Sequence, residues 1–216
     1  MNRRRLCLHV PAALTLATGL APLALRAQGA APVEGQHYVK LSQPVPTSAG
    51  PGKVELIEFF WYGCPHCFAM EAPLEGWVKR LPSDAALRRV PVGFGPLHQF
   101  HQRVFYALEA QGQLEALHRK VFQAIHVARQ PLNTDAQVQA FITAQGLDGA
   151  QFVQTMKSFG VTTKARQAAQ LTEAYRIDGV PAIGVGGRYY TSAAMAGGFE
   201  QAFSVADYLM GRVRRG

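Results

Sequence analysis

Residues 54–67 read Val54-Glu55-Leu56-Ile57-Glu58-Phe59-Phe60-Trp61-Tyr62-Gly63-Cys64-Pro65-His66-Cys67. The run from Val54 to Tyr62 is almost continuously apolar and aromatic. That length and composition predict a central strand buried on both faces. Gly63 ends the run. From Cys64 to Leu81 the apolar residues Cys67, Met70, Leu74, Trp77, Val78 and Leu81 fall at helical spacing, with Pro73 inside the pattern and expected to kink it. The stretch therefore reads as a strand, a sharp turn and a helix whose first turn carries two cysteines. Ala86–Phe94 reads as the next strand.

The pair Cys64 and Cys67 admits two readings. Half of a zinc site would need two further ligands. His98 and His101 do not have the spacing of a second ligand pair and read as surface histidines, so no metal is expected. The other reading is a dithiol redox centre, favoured by its position between an apolar strand and a helix. A structural staple gains most when it closes a long loop, and cysteines three apart close almost nothing. The helix N-terminus offers unpaired N–H groups and the positive end of the dipole, so a thiolate on Cys64 is stabilised there. His66 adds a donor or a positive charge beside the same sulfur. Cys67 lies one turn further in. Cys64 is expected to be the exposed, attacked sulfur and Cys67 the buried, resolving one.

The chain has 216 residues and three cysteines, the third being Cys7. Residues 1–27 read as a secretory signal peptide: Arg3, Arg4 and Arg5 precede an almost uncharged run from Leu6 to Leu25, and small residues follow at Ala27, Gly29 and Ala30. Cleavage near Ala27–Ala30 is expected to remove Cys7. An uncut membrane anchor is the alternative, against which Pro11, Gly19 and Pro22 interrupt the run. Export would leave Cys64 and Cys67 in a disulfide-permissive compartment. Four of the 22 Lys and Arg lie in residues 1–27, so the formal charge of +8 falls to about +4 without them, against 14 acids. No dense basic stripe with interleaved aromatics is present, and nucleic-acid binding is not expected.

The middle of the chain changes period. Phe100, Val104, Phe105 and Leu108 share one helical face, and Leu114, Leu117, Val121 and Ile125 share another. Asn133 and Thr134 are cap candidates for a helix through Gln145. Further helices are expected near Ala150–Ser158 and from about Thr162 to Tyr175. After Gly179, Pro181–Val185, Gly186-Gly187 and Arg188–Thr191 read as a hairpin with a primed two-residue turn. Phe199–Val213 reads as a closing helix, and His37–Leu41 as a short lead-in strand. The order points to a split α/β domain with helices inserted in its middle.

Phe59-Phe60-Trp61-Tyr62-Gly63-Cys64-Pro65-His66-Cys67, with the later Gly179-Val180-Pro181-Ala182, resembles the DsbA family of periplasmic thiol:disulfide oxidases. The resemblance covers essentially the whole chain after residue 27. It implies an α/β thioredoxin-like fold with an inserted all-helical domain: residues 28–95 and 169–216 for the former, 96–168 for the latter. It implies an enzyme that introduces disulfides through Cys64-Pro65-His66-Cys67, without a cofactor. A low Cys64 pKa and an oxidising poise are likewise implied.

Reduced, unfolded exported proteins would be the substrates, a DsbB-type membrane protein the reoxidant, and the enzyme would be monomeric. Pro181 would be the family's cis-proline facing the cysteines, although an ordinary trans-proline starting a strand is the alternative. Val180 would tune the thiolate and bind an extended substrate segment by strand addition. Glu58 would be the buried acid that assists proton movement, although a half-exposed strand position would also explain it. The family often pairs this acid with lysine, whereas Arg89 stands in that place. Two other functions remain open from the residues alone: a disulfide isomerase or reductase, and a binding or chaperone module with an idle disulfide.

Overall fold

The strand at 54–60 lies inside a sheet covered on both faces, with a neighbour on either side, as its apolar composition requires. The computed structural model describes residues 31–216; the signal peptide read at 1–27, with Cys7, falls outside them. Strands β1 (Val39–Lys40), β2 (Val54–Phe60), β3 (Ala85–Pro91), β4 (Ala182–Val185) and β5 (Tyr189–Ser192) form one sheet in the order β1-β5-β4-β2-β3. β2 is buried at all seven positions. It pairs parallel with β3 and antiparallel with β4.

The helices are α1 (Pro65–Val78), α2 (Pro96–Ala110), α3 (Leu114–His126), α4 (Asp135–Ala144), α5 (Gly149–Met156), α6 (Phe159–Ala174), α7 (Ala193–Ala196) and α8 (Phe199–Arg214). Helices α2–α6 all lie between β3 and β4 in the chain. α6 runs on past Ala168 to Ala174, so a boundary drawn at 168 cuts a continuous helix.

Alternation along β2 divides its side chains between two cores. Val54 and Leu56 join Met70, Leu74 and Trp77 of α1 and Phe203, Ala206 and Leu209 of α8. Trp77 stacks on Phe203 at 4.9 Å between ring centroids, and its Nε1 donates to Asp207 at 3.0 Å. On the other face Ile57 and Phe59 meet the inserted helices and Tyr175. Each face buries large apolar side chains at about 25 cal/mol per Å², which explains why both faces of this strand read as apolar.

Several expectations are adjusted. β3 ends at Pro91 rather than Phe94, because Gly93 and Gly95 turn the chain into α2 after Val92 N donates to Phe60 O. Thr134, not Asn133, caps α4, its side chain accepting from Gln137 N. The β4–β5 turn keeps its primed geometry, with Gly186 and Gly187 at φ +57° and +66° and Arg188 N donating to Val185 O. Its register pairs Val185 with Tyr189, however, so Arg188 is an extra residue and the connection is three residues long. The lead-in segment explains this: Leu41 N and Val45 N donate to Arg188 O and Gly187 O, which draws the turn out of the strand. α7 was not foreseen.

Candidate active site

Trp61-Tyr62-Gly63 carries the chain from the end of β2 into α1. Cys64 is the N-cap of that helix and Pro65 its first residue, a position where a missing N–H costs nothing. The Cys64 sulfur accepts from Cys67 N at 3.3 Å. Both cysteines are free thiols. Cys67 is fully buried, and Cys64 is only 7 % exposed, so the expectation of an exposed Cys64 is corrected. The loop before β4 covers it: the Cys64 Sγ lies 3.5 Å from the Val180 carbonyl oxygen, and the Val180–Pro181 peptide is cis.

The sulfurs sit in opposite environments. The Cys64 thiol is lowered to about 6, first by the hydrogen bond from Cys67 and then, against the cost of burial, by the backbone N–H groups of Cys67 and His66. The His66 charge is the last and smallest of these causes. Burial raises the Cys67 thiol, and its hydrogen bond to Cys64 raises it further. One sulfur is therefore available as a thiolate at neutral pH and the other is held protonated.

His66 is exposed. It forms one wall of a groove of about 550 Å³ whose other walls include Val180, Pro181, Tyr190, Met195 and Phe199. Val180 precedes β4 and stands outside the sheet. The groove is largely apolar, and its wall residue Val180 is the one whose carbonyl oxygen lies 3.5 Å from the Cys64 sulfur.

Glu58 is completely buried and is the register partner of Arg89 across β2 and β3. Arg89 Nε stands 3.0 Å from Glu58 Oε2, but its N–H is out of line, and neither Glu58 oxygen receives a hydrogen bond. The contact is one of charge proximity rather than a hydrogen bond. Burial, followed by the charge of Glu71, pushes Glu58 up to about 8. Arg89 also approaches Glu71 of α1, with Nη2 3.7 Å from Oε2. Glu71 is shifted the other way. Burial would raise it, but the hydrogen bond from His118 and the nearby positive charge outweigh that and hold it low.

His118 and Tyr62 complete this buried cluster. His118 Nε2 lies 3.4 Å from Glu71 Oε1, and the Tyr62 hydroxyl lies 2.8 Å from His118 Nδ1. His126, eight residues further along α3, has its Nε2 2.8 Å from the Tyr62 carbonyl oxygen. The sequence reading missed Tyr62, Glu71 and His118. Glu71 lies on the Cys67–Met70–Leu74 stripe and His118 on the Leu114–Val121–Ile125 stripe, so polar residues on buried faces were the available signal. His101 follows the same logic: it shares a face with Val104, Phe105 and Leu108, and it is buried rather than on the surface. His98 stacks on Trp61 at 4.2 Å. Among the described residues no group of three or more His, Cys, Asp or Glu is placed to hold a metal ion.

Comparison with known proteins places this arrangement in a family. Residues 55–209 match the model of the DSBA-like thioredoxin domain. The chain is 42 % identical over 205 residues to the thiol:disulfide interchange protein DsbA of Bordetella pertussis, covering 94 % of both chains. It is 39 % identical over 180 residues to the protein of that name from Pseudomonas aeruginosa, covering 83 % of this chain and 85 % of the relative. The crystal structure of P. aeruginosa DsbA superposes with a TM-score of 0.79 at 39 % identity, covering 84 % of this chain and 94 % of that one. The DsbA oxidoreductase of Xylella fastidiosa superposes with a TM-score of 0.79 at 29 % identity, covering 86 % and 99 %. A thiolate-stabilising helix cap, a thioredoxin-like sheet and a helical insertion thus coincide with kinship along nearly the whole chain, which belongs to the DsbA family of thiol:disulfide oxidoreductases.

Proposed function

We propose that this enzyme oxidises exported, reduced proteins in the periplasm, with Cys64 as the attacked sulfur and Cys67 as the resolving one. The observation that carries this reading is the unequal state of the two thiols, low at Cys64 and high at Cys67. A substrate thiolate attacks Cys64 of the Cys64–Cys67 disulfide, and Cys67 leaves and takes up a proton. A second substrate thiol, losing its proton, attacks the substrate sulfur of the mixed disulfide and expels Cys64 as a thiolate. Two electrons pass from the substrate dithiol to the enzyme, which a DsbB-type membrane partner then reoxidises. A stable Cys64 thiolate favours the reduced enzyme and so makes its disulfide oxidising.

Placement supports the remaining roles. Val180 and Pro181 offer an edge and a wall to an extended substrate segment beside Cys64. Pro65 and His66 shape the helix start, and His66 borders the groove. Glu58, held protonated by burial, exchanges a proton with Cys67 as that sulfur is released or attacks. Residues 1–27 direct export.

The redox potential, measured against a glutathione series, tests the direction of flow. A value well above that of thioredoxins, about −270 mV, is expected; a value near it overturns the oxidase reading in favour of a reductase. Cys64→Ser is expected to abolish oxidation of a reduced protein substrate. Full retention of activity in that variant would assign the protein to binding instead.

A further inference from the structure

The two buried carboxyls, Glu58 and Glu71, share one cation. Arg89 stands 3.0 Å from Glu58 and 3.7 Å from Glu71. Two buried carboxylates and one guanidinium leave an excess negative charge, so one acid keeps its proton. Arg89 faces both but stands nearer Glu58, so its charge alone favours ionisation there. The hydrogen bonds pull the other way: Glu58 receives none, while Glu71 faces His118 Nε2 at 3.4 Å.

The donor is itself held in place. The Tyr62 phenol is kept protonated, its pKa raised far above normal by burial and by the Glu71 charge. Glu71, held low as a carboxylate, can only accept from His118 Nε2, so Nδ1 of the neutral ring is an acceptor and the Tyr62 hydroxyl donates to it at 2.8 Å. Burial lowers His118, so at neutral pH it supplies an N–H and not a charge. The other charged groups near this cluster are Glu115 and Arg119 of α3, Glu75 of α1 and Lys79 just after it, around a cavity of about 390 Å³ that also touches Glu71, Arg89 and His118. Arg119 is paired with Glu75 at 3.2 Å.

We propose that His118, fixed in one tautomer by Tyr62, is a positioning residue of the exchange reaction: it confines the negative charge of the buried pair to Glu71 and so leaves the proton on Glu58. This rests on the reading above that Glu58 exchanges a proton with Cys67, and it deepens that reading. Arg89 cannot deprotonate, so it cannot relay a proton. The allocation of the proton depends on the histidine.

The test is a pH titration of the carboxyl C=O stretch by infrared difference spectroscopy on the reduced full-length protein. Glu58→Gln and Glu71→Gln assign the bands. In the parent protein Glu58 should titrate far above Glu71. In His118→Phe the Glu71 midpoint should rise and the Glu58 midpoint fall by at least about one pH unit, the order expected when a like charge is removed beside a buried acid. His118→Gln keeps an amide donor toward Glu71 and should retain most of the separation; Tyr62→Phe, which frees the tautomer, should lose part of it.

Midpoints unchanged in His118→Phe, or shifted equally in the Phe and Gln variants, would overturn the proposal. If His118→Phe does not fold, Tyr62→Phe decides alone, and an unchanged separation there overturns it. The underlying reading fails separately: Glu58→Gln leaving the pH profile of exchange unmoved would remove the role of Glu58 toward Cys67, whatever the spectra show.

Discussion

The Cys64 sulfur draws its stabilisation from Cys67 before anything else, and from the opening N–H groups of α1 after that. His66, which looks from sequence like the obvious charge, ranks last because it is exposed and solvated. Alkylation of the reduced protein with iodoacetamide should therefore show a half-point near pH 6. Cys67→Ala should move that half-point up, because the strongest donor is gone, whereas Cys67→Ser should move it less, since a hydroxyl can still donate. Equal half-points in the parent and the Ala variant would refute the ranking. At this scale the sequence was legible where a motif spoke, in the placement of Cys64 and Cys67 at the start of α1 and in the cis Val180–Pro181 peptide beside them, though not in the burial of Cys64. It was illegible for Glu71 and His118, whose partners come from α1, β3 and α3 and meet only after folding.

Caps and close approaches decide how the elements hold together. Ser158 caps α6 by accepting from Val161 N. Ser158→Ala should cost about 1 kcal/mol in urea denaturation and Ser158→Gly only a few tenths of that. No loss in the alanine variant would show that the cap hydrogen bond contributes nothing. The link from β2 to α1 depends on a different constraint. A Cβ at Gly63 would lie 2.3 Å from the Trp61 ring, which is itself stacked on His98. Gly63→Ala should therefore destabilise by about 1–3 kcal/mol and loosen that stack, read as a change in Trp fluorescence. Element types were legible because the period changes cleanly between strand and helix. Their ends were less so. Where β3 stops and how the β4–β5 turn bulges depend on Phe60 and on the lead-in at Leu41 and Val45, contacts that no local window contains.

For the molecule as a whole, the depressed Cys64 thiol couples redox state to stability. In the unfolded chain a thiol titrates at about 8.5, and in the folded protein at about 6. The stabilisation it lends the reduced form is complete above the unfolded value and is lost as pH falls through about 6. The oxidised form has no such group. Glu58, raised to about 8, has the opposite slope, favouring the fold below the unfolded carboxyl value and losing that contribution as pH rises through about 8. It is present in both redox states and largely cancels in their difference. The Tm of the reduced protein minus that of the oxidised protein should therefore shrink from pH 8.5 to pH 5, by the sign of that linkage. A difference that stays constant or widens on acidification would contradict the thiolate assignment.

The order of strands also has a consequence in time. β2 needs β4 as its second neighbour, and β4 follows it by more than a hundred residues. The lead-in at Leu41 and Val45, among the earliest described residues to be synthesised, is tied to Gly187 and Arg188, among the latest. While the chain is being made, β2, α1 and β3 can associate locally, but Cys64 is present long before Val180 exists to face it. The nascent protein thus carries a cysteine pair whose covering loop is added only near the end of synthesis. Until then its own thiols are open to the same chemistry that the finished enzyme performs on others.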